Sequence, residues 1–162
     1  MLATRNVLAL TKMGNMLFPI RFVMNGSKKL EDVVTVDVHA AKELLRSGHK
    51  YLDVRTIEEF QEGHIENAQN VPYMFKTQEG RAKNPEFITQ VSALFKKDDP
   101  LVVGCKSGVR SLKACVDLLN SGFEKVTDMG GGYSEWVDKV HPGHNPSQEL
   151  KTIQKVSSLL KS

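Results

Sequence analysis

Two cysteines in 162 residues, neither in a Cys-x-x-Cys pair, exclude a disulfide framework and a sulfur-rich zinc site, which suits a reducing compartment. No apolar run reaches the length of a membrane span, so no contact with a membrane is expected. The first 30 residues contain no acid: Arg5, Lys12, Arg21, Lys28 and Lys29 give them a charge of +5. The rest of the chain carries 17 basic and 19 acidic residues. A body so balanced offers no electrostatic footprint for nucleic acid. A phosphate-binding glycine pattern is missing too. Gly130-Gly131-Gly132 has no G-x-G-x-x-G spacing and no Gly-Lys-Ser after it, and reads as a tight turn from strand to helix. His141 and His144 have no further ligands clustered with them. Neither a metal nor a cofactor is expected.

What the chain does have is a regular alternation of short β-prone runs and helical patterns between residues 33 and 140. Val33 to Val36 reads as a strand, and Asp37 can cap a helix from about Val38 to Arg46 that Ser47-Gly48 ends. Tyr51 to Val54 is a second strand, followed by a short helix with Thr56 as its cap, and Ala68 to Val71 a third strand halted by Pro72. Met74 to Asn84 is polar and reads as a loop; Pro85 opens a helix through about Phe95. Leu101 to Val103 is continuously apolar, as a strand buried on both faces should be, and Lys125 to Met129 reads as the last strand before a helix carrying Trp136. Such alternation implies βαβ units and a largely parallel sheet covered on both faces. The expected organisation is a basic extension over 1–30, one domain over 31–140 and a tail over 141–162. The tail's apolar pattern of Leu150, Ile153, Val156 and Leu160 fits a surface helix or a frayed end. The extension reads either as an organellar transit peptide, basic and acid-poor though short of serine, or as a disordered leader.

The stretch Cys105-Lys106-Ser107-Gly108-Val109-Arg110-Ser111 joins the central strand to the helical pattern of Leu112, Cys115, Val116 and Leu119. Cys105 therefore falls at a strand's end and beside a helix N-terminus. There the free backbone N–H groups, the helix dipole and the cations Lys106 and Arg110 favour a thiolate over a thiol. A cysteine that only fills space would not call for those neighbours, and Cys105 is the candidate nucleophile. Cys115 lies on the apolar stripe and reads as core filler. Ligands of open parallel sheets bind beyond the carboxyl ends of the strands, where Asp53 and Arg55 also fall.

Four pieces in this order resemble a known family. They are Tyr51-Leu52-Asp53-Val54-Arg55 with Glu58 and Phe60; Gly63-His64-Ile65 through Asn70-Val71-Pro72; the loop from Cys105 to Ser111; and Gly131-Gly132 through Trp136. The chain is similar to the rhodanese-like sulfurtransferases over about residues 33–140. The run Asn70 to Phe75 leading to Gly80-Arg81 and Asn84-Pro85 resembles the single-domain plant group of thiosulfate sulfurtransferases in particular.

The resemblance implies a three-layer α/β/α fold with a central, mainly parallel sheet of about five strands. It assigns Cys105 as the residue that accepts a sulfane sulfur as a persulfide. Lys106, Ser107, Gly108, Val109 and Arg110 then form the donor-binding loop, with Arg110 orienting it and helping to hold an anionic donor such as thiosulfate. Asp53, Arg55, Glu58 and Ser111 become supporting residues. The acceptor would be a thiophile: glutathione, thioredoxin, glutaredoxin or cyanide. The location would be the cytoplasm, or a mitochondrion or plastid if residues 1–30 are a transit peptide. One departure stands out, since Glu66-Asn67 replaces a proline-glycine-like turn after Ile65; Asn67 tolerates the left-handed backbone that such a turn needs.

Two other functions compete. Dual-specificity phosphatases and arsenate reductases include rhodanese-like folds that also carry an anion loop from Cys to Arg. Phosphatase loops enclose five residues between the two, whereas Cys105 and Arg110 enclose four. A binding module without turnover would have no use for retaining both residues.

Overall fold

In the computed structural model the expected alternation becomes a five-stranded sheet in the order β3-β9-β8-β4-β5, with every neighbouring pair parallel. The strands are Val34–Val36 (β3), Lys50–Asp53 (β4), Gln69–Asn70 (β5), Leu101–Gly104 (β8) and Val126–Met129 (β9). The structure describes residues 26–140 and, before them, the backbone of Leu10–Met13 (β1) and Met16–Pro19 (β2), which pair antiparallel. The expectations for the 141–162 tail, and most of those for the basic leader, lie outside the described residues.

Local chemistry sets where each helix begins. Asp37 accepts a 2.8 Å bond from the Ala40 N–H and starts Val38–Arg46 (α1). Thr56 and Glu59 form a reciprocal capping box that starts Ile57–Gln61 (α2). The Asn84 side chain accepts from the Glu86 N–H at 3.0 Å, and Phe87–Leu94 (α3) follows. Pro85 thus stands in the turn before α3 and not inside the helix. Val109–Asn120 (α4) and Gly132–Val140 (α5) complete the set.

Alternation along the strands divides the core into two. Leu52, Leu101, Val103 and Val126 point to the face that α3 and α4 cover with Phe87, Val91, Ala114, Cys115 and Leu118. Tyr51, Val102 and Met129 point to the opposite face, under Val38 and Ala41 of α1 and Trp136 of α5. Leu101, Val102 and Val103 are all 0% exposed. At about 1.5–3 kcal/mol for each such side chain removed from water, β8 anchors both layers, and its carboxyl end is held where Cys105 follows.

The segment Met74 to Asn84 departs from the loop expected of it. Met74–Thr77 (β6) and Gly80–Lys83 (β7) pair as an antiparallel hairpin outside the main sheet. Its residues from Phe75 to Lys83 are exposed, so no apolar alternation marks it. Polar anchors hold it instead. Lys83 Nζ lies 2.7 Å from Asp117 of α4, which also accepts from the Tyr73 hydroxyl at 2.9 Å, and Arg81 lies 3.8 Å from Glu59 of α2.

Candidate active site

The chain turns at Cys105 into α4 through a left-handed residue, Gly108, with φ of +100°. That backbone turns the Gly108 N–H inward, where it donates to the Cys105 sulfur at 3.1 Å. The sulfur sits at the floor of the loop, and Cys105 as a whole is 1% exposed. A reactant must therefore enter the loop to meet it.

The far wall of the loop is backbone from α5. The Tyr133 N–H donates to the Cys105 carbonyl at 2.7 Å, and the Ser134 N–H to the Lys106 carbonyl at 3.1 Å. This close approach explains Gly132: its φ is +64°, and a Cβ there would stand 2.6 Å from the Cys105 carbonyl oxygen. The three glycines are the tight turn read from the sequence. Asn67, likewise, has the left-handed backbone expected of it, with φ of +62°.

The other supports come from the turn after β4. Asp53, 0% exposed, takes Arg55 Nε at 3.0 Å and Nη2 at 2.7 Å. Arg55 also donates to the carbonyls of Glu59 and Gly63 and stacks its guanidinium 4.0 Å from the Tyr133 ring. One buried ion pair thus fixes the β4–α2 turn against the start of α5. Asn70 adds two bonds, from its amide to the Asp53 and Arg55 carbonyls.

Arg110 does not point freely at the loop. Its two terminal nitrogens meet the two oxygens of Glu59 at 2.7 and 2.9 Å. Burial works against ionising Glu59, but the bonds from Arg110 and the Thr56 N–H win and hold its carboxyl down at about 2. The same pairing raises Arg110 against the opposing effect of its own burial. Glu58, the supporting acid expected from the sequence, is on the exposed side of α2 and is not brought to the loop. The acid brought there is Glu59. Its signal was legible as Thr56-x-x-Glu59, the pattern of a capping box, which fixes that side chain at the first turn.

Of the remaining loop residues, Lys106, Ser107 and Val109 are exposed, and Lys106 has no ion-pair partner among the described residues. Ser111 is 0% exposed and donates to the Gly108 carbonyl at 3.1 Å. Cys115 is a free, fully buried thiol whose ionisation burial pushes far up, as a filler's should be. No group of three or more His, Cys, Asp or Glu able to hold a metal occurs among the described residues, and none of their helices is long and apolar enough to cross a membrane.

The arrangement sets a buried sulfur against an inward N–H in a rigid frame, with an exposed lysine next in the chain that has no ion-pair partner among the described residues. It is suited to attack on a small anion.

Known proteins share this frame. The rhodanese-like domain family matches residues 37–139. Among curated relatives, the mitochondrial protein HIGH ARSENIC CONTENT 1 of Arabidopsis thaliana is 56% identical over 76% of this chain and 73% of its own length. Thiosulfate sulfurtransferase 18 of the same plant is 52% identical over 78% of this chain and 94% of its own. Among solved structures, a human single-domain sulfurtransferase superposes with a TM-score of 0.51 at 28% identity, over 65% of this chain and 96% of that one. With the Cys105 loop at the carboxyl end of the central strand, the chain belongs to the rhodanese-like family, within the group of plant single-domain sulfurtransferases.

Proposed function

We propose that the protein takes the sulfane sulfur of thiosulfate onto Cys105 and passes it to a thiol. The single observation that carries this reading is the Gly108 N–H 3.1 Å from the Cys105 sulfur, in a loop closed by Arg110. It supports a thiolate and, after transfer, a terminal persulfide.

In the first step the Cys105 thiolate attacks the outer sulfur of thiosulfate. A Cys–S–S bond forms, the sulfur–sulfur bond of thiosulfate breaks, and sulfite leaves with the electron pair. In the second step an acceptor thiolate attacks the outer sulfur of the persulfide, and Cys105 leaves as thiolate. No proton is gained or lost overall. Lys106 is the free cation that meets the donor's sulfonate, while Arg110, engaged on Glu59, acts by holding the loop. Glutathione, thioredoxin, glutaredoxin and cyanide are the acceptors to compare. Residues 1–30, basic and acid-free, fit a transit peptide, and the relative named above as mitochondrial agrees with an organellar destination.

A compact loop around one sulfur favours sequential occupancy, so the kinetics should be ping-pong. Thiosulfate alone should release one sulfite per enzyme and add the mass of one sulfur to Cys105. Intersecting double-reciprocal lines with no sulfite burst would overturn the reading.

A second reading has one observation in its favour: a relative at 56% identity is named for arsenic content. The same loop would then meet arsenate, also a small oxyanion. Arsenate-dependent consumption of a thiol reductant, lost in Cys105→Ser, would support it, and its absence alongside sulfite release would leave sulfur transfer.

A further inference from the structure

A cleft of about 550 Å³ opens between α1, α5 and the loop that carries His64 to Asn67 toward β5. None of the residues from Cys105 to Ser111 lines it, so it is separate from the sulfur loop. Its size falls in the range of small-ligand sites, roughly 300–1,000 Å³. The apolar surface comes from Leu45 of α1, Ile65 of the loop, and Tyr133, Trp136 and Val137 of α5. Ile65 and Trp136 are each 6% exposed and belong to the core beneath α1 and α5, so the surface they offer is fixed in advance. The rest of the wall is held as well. The His64 ring stacks on Phe60 with centroids 3.9 Å apart, its Nδ1 lies 3.0 Å from the Phe60 carbonyl, and the Arg55 guanidinium sits 4.0 Å from the Tyr133 ring.

The charged groups on the cleft are Lys42 and Arg46 of α1 and Glu66 of the loop, with His64 beside it. Arg46 is engaged on Glu43 at 2.9 Å. Lys42 is half-buried and Glu66 exposed; neither has an ion-pair partner among the described residues, and they do not pair with each other. A simple anion would meet Lys42 but be opposed by Glu66, and a simple cation the reverse. A molecule that carries both charges satisfies both walls. A single amino acid holds its charges on one carbon, whereas a dipeptide sets them a peptide bond further apart, as two separate walls require. The aromatic surface of Tyr133 and Trp136 then takes a flat side chain. Glu66 also stands where the sequence departs from a proline-glycine-like turn; Asn67 supplies the left-handed backbone there, and the turn itself has no need of the charge.

We propose that this cleft binds a zwitterionic dipeptide with an aromatic side chain, its carboxylate on Lys42, its ammonium on Glu66 and its ring against Tyr133 and Trp136. Trp136 is the only tryptophan of the chain, so its indole N–H gives a single reporter signal. The isotope-labelled full chain is titrated with glycylphenylalanine and followed by NMR. The indole signal and the backbone signals of Tyr133 and Val137 should shift together and saturate. The dipeptide amide, which lacks the carboxylate, and the N-acetyl dipeptide, which lacks the ammonium, should each bind roughly two- to fivefold more weakly, the size of one partly exposed ion pair. Lys42→Ala should erase the preference for the free carboxylate and keep that for the ammonium; Glu66→Gln should do the opposite. Both positions are open to solvent on one side, so both variants should melt like wild type. Cys105→Ser should bind the dipeptide as wild type does. No saturable shift, either preference surviving the loss of its assigned partner, or loss of binding in Cys105→Ser would overturn the proposal. A protein that binds the dipeptide but releases no sulfite from thiosulfate would count against the proposed function alone.

Discussion

Arg110 and Glu59, 51 residues apart, meet fork to fork, with Nη1 donating to Oε2 at 2.7 Å and Nη2 to Oε1 at 2.9 Å. A bidentate pair of this kind has direction as well as charge, so it fixes the first turn of α4 against α2 and the loop between them. Its role is geometric before it is electrostatic.

Glu59→Gln keeps the shape of that carboxylate and removes its charge. The native carboxyl is held at about 2, below the ordinary value, so its stabilisation is present above pH 4.5 and is lost as pH falls toward 2. Screened at a half-buried site, it should amount to about 1–2 kcal/mol. The variant should therefore melt lower than wild type at pH 7, with the difference closing in acid. Glu58→Gln, at a fully exposed carboxyl that its own N–H and the Thr56 hydroxyl hold below the ordinary range, should shift the melt much less than Glu59→Gln, and thermal melts across the pH range check both.

Lys106→Ala should raise the KM for thiosulfate by roughly three- to tenfold and leave kcat nearly unchanged, because an exposed point charge holds the donor without shaping the loop. The effect should shrink as salt is added. Steady-state kinetics at low and high ionic strength, with the acceptor saturating, measure it. Arg110→Ala should lower kcat as well.

The two thiols should separate cleanly. Cys105→Ser should abolish sulfur transfer while melting like wild type, and Cys115→Ser should keep transfer while losing about 1–2 kcal/mol from a hydroxyl placed in a fully buried site. Activity assays paired with denaturant titrations distinguish the outcomes.

Tyr51 is a place where removing an atom should help. Its hydroxyl is buried, has no hydrogen-bond partner among the described residues, and lies where a Cβ on Gly104 would fall. Tyr51→Phe should leave stability unchanged or raise it by about 1 kcal/mol, and Gly104→Ala should be severely destabilising unless combined with it. Melting temperatures of the three variants test this.

The strands of the main sheet, the caps at Asp37 and Thr56, and the position of Cys105 were legible because each follows from short-range chemistry. β8 is apolar on both faces, and a capping side chain reaches only three residues. The β6–β7 hairpin was not legible, since its strands bury no alternate apolar face and its anchors, Lys83 to Asp117 and Arg81 to Glu59, lie 34 and 22 residues away. Glu59, the partner of Arg110, was not singled out from the sequence, where Glu58 stood among the supporting residues. Glu58 and Glu59 are both acids on a short helix, and only the capping box decides which one turns toward the loop.

The wall supplied by α5 has a bearing on how the molecule is made. Cys105 and Lys106 leave a ribosome well before Gly132, Tyr133 and Ser134, yet their carbonyls are satisfied by the N–H groups of Tyr133 and Ser134. Until α5 emerges, the cradle around the sulfur is open on one side and its backbone is bound to water. The turn around the Cys105 sulfur is thus completed only late in synthesis, once the N–H groups of Tyr133 and Ser134 are in place.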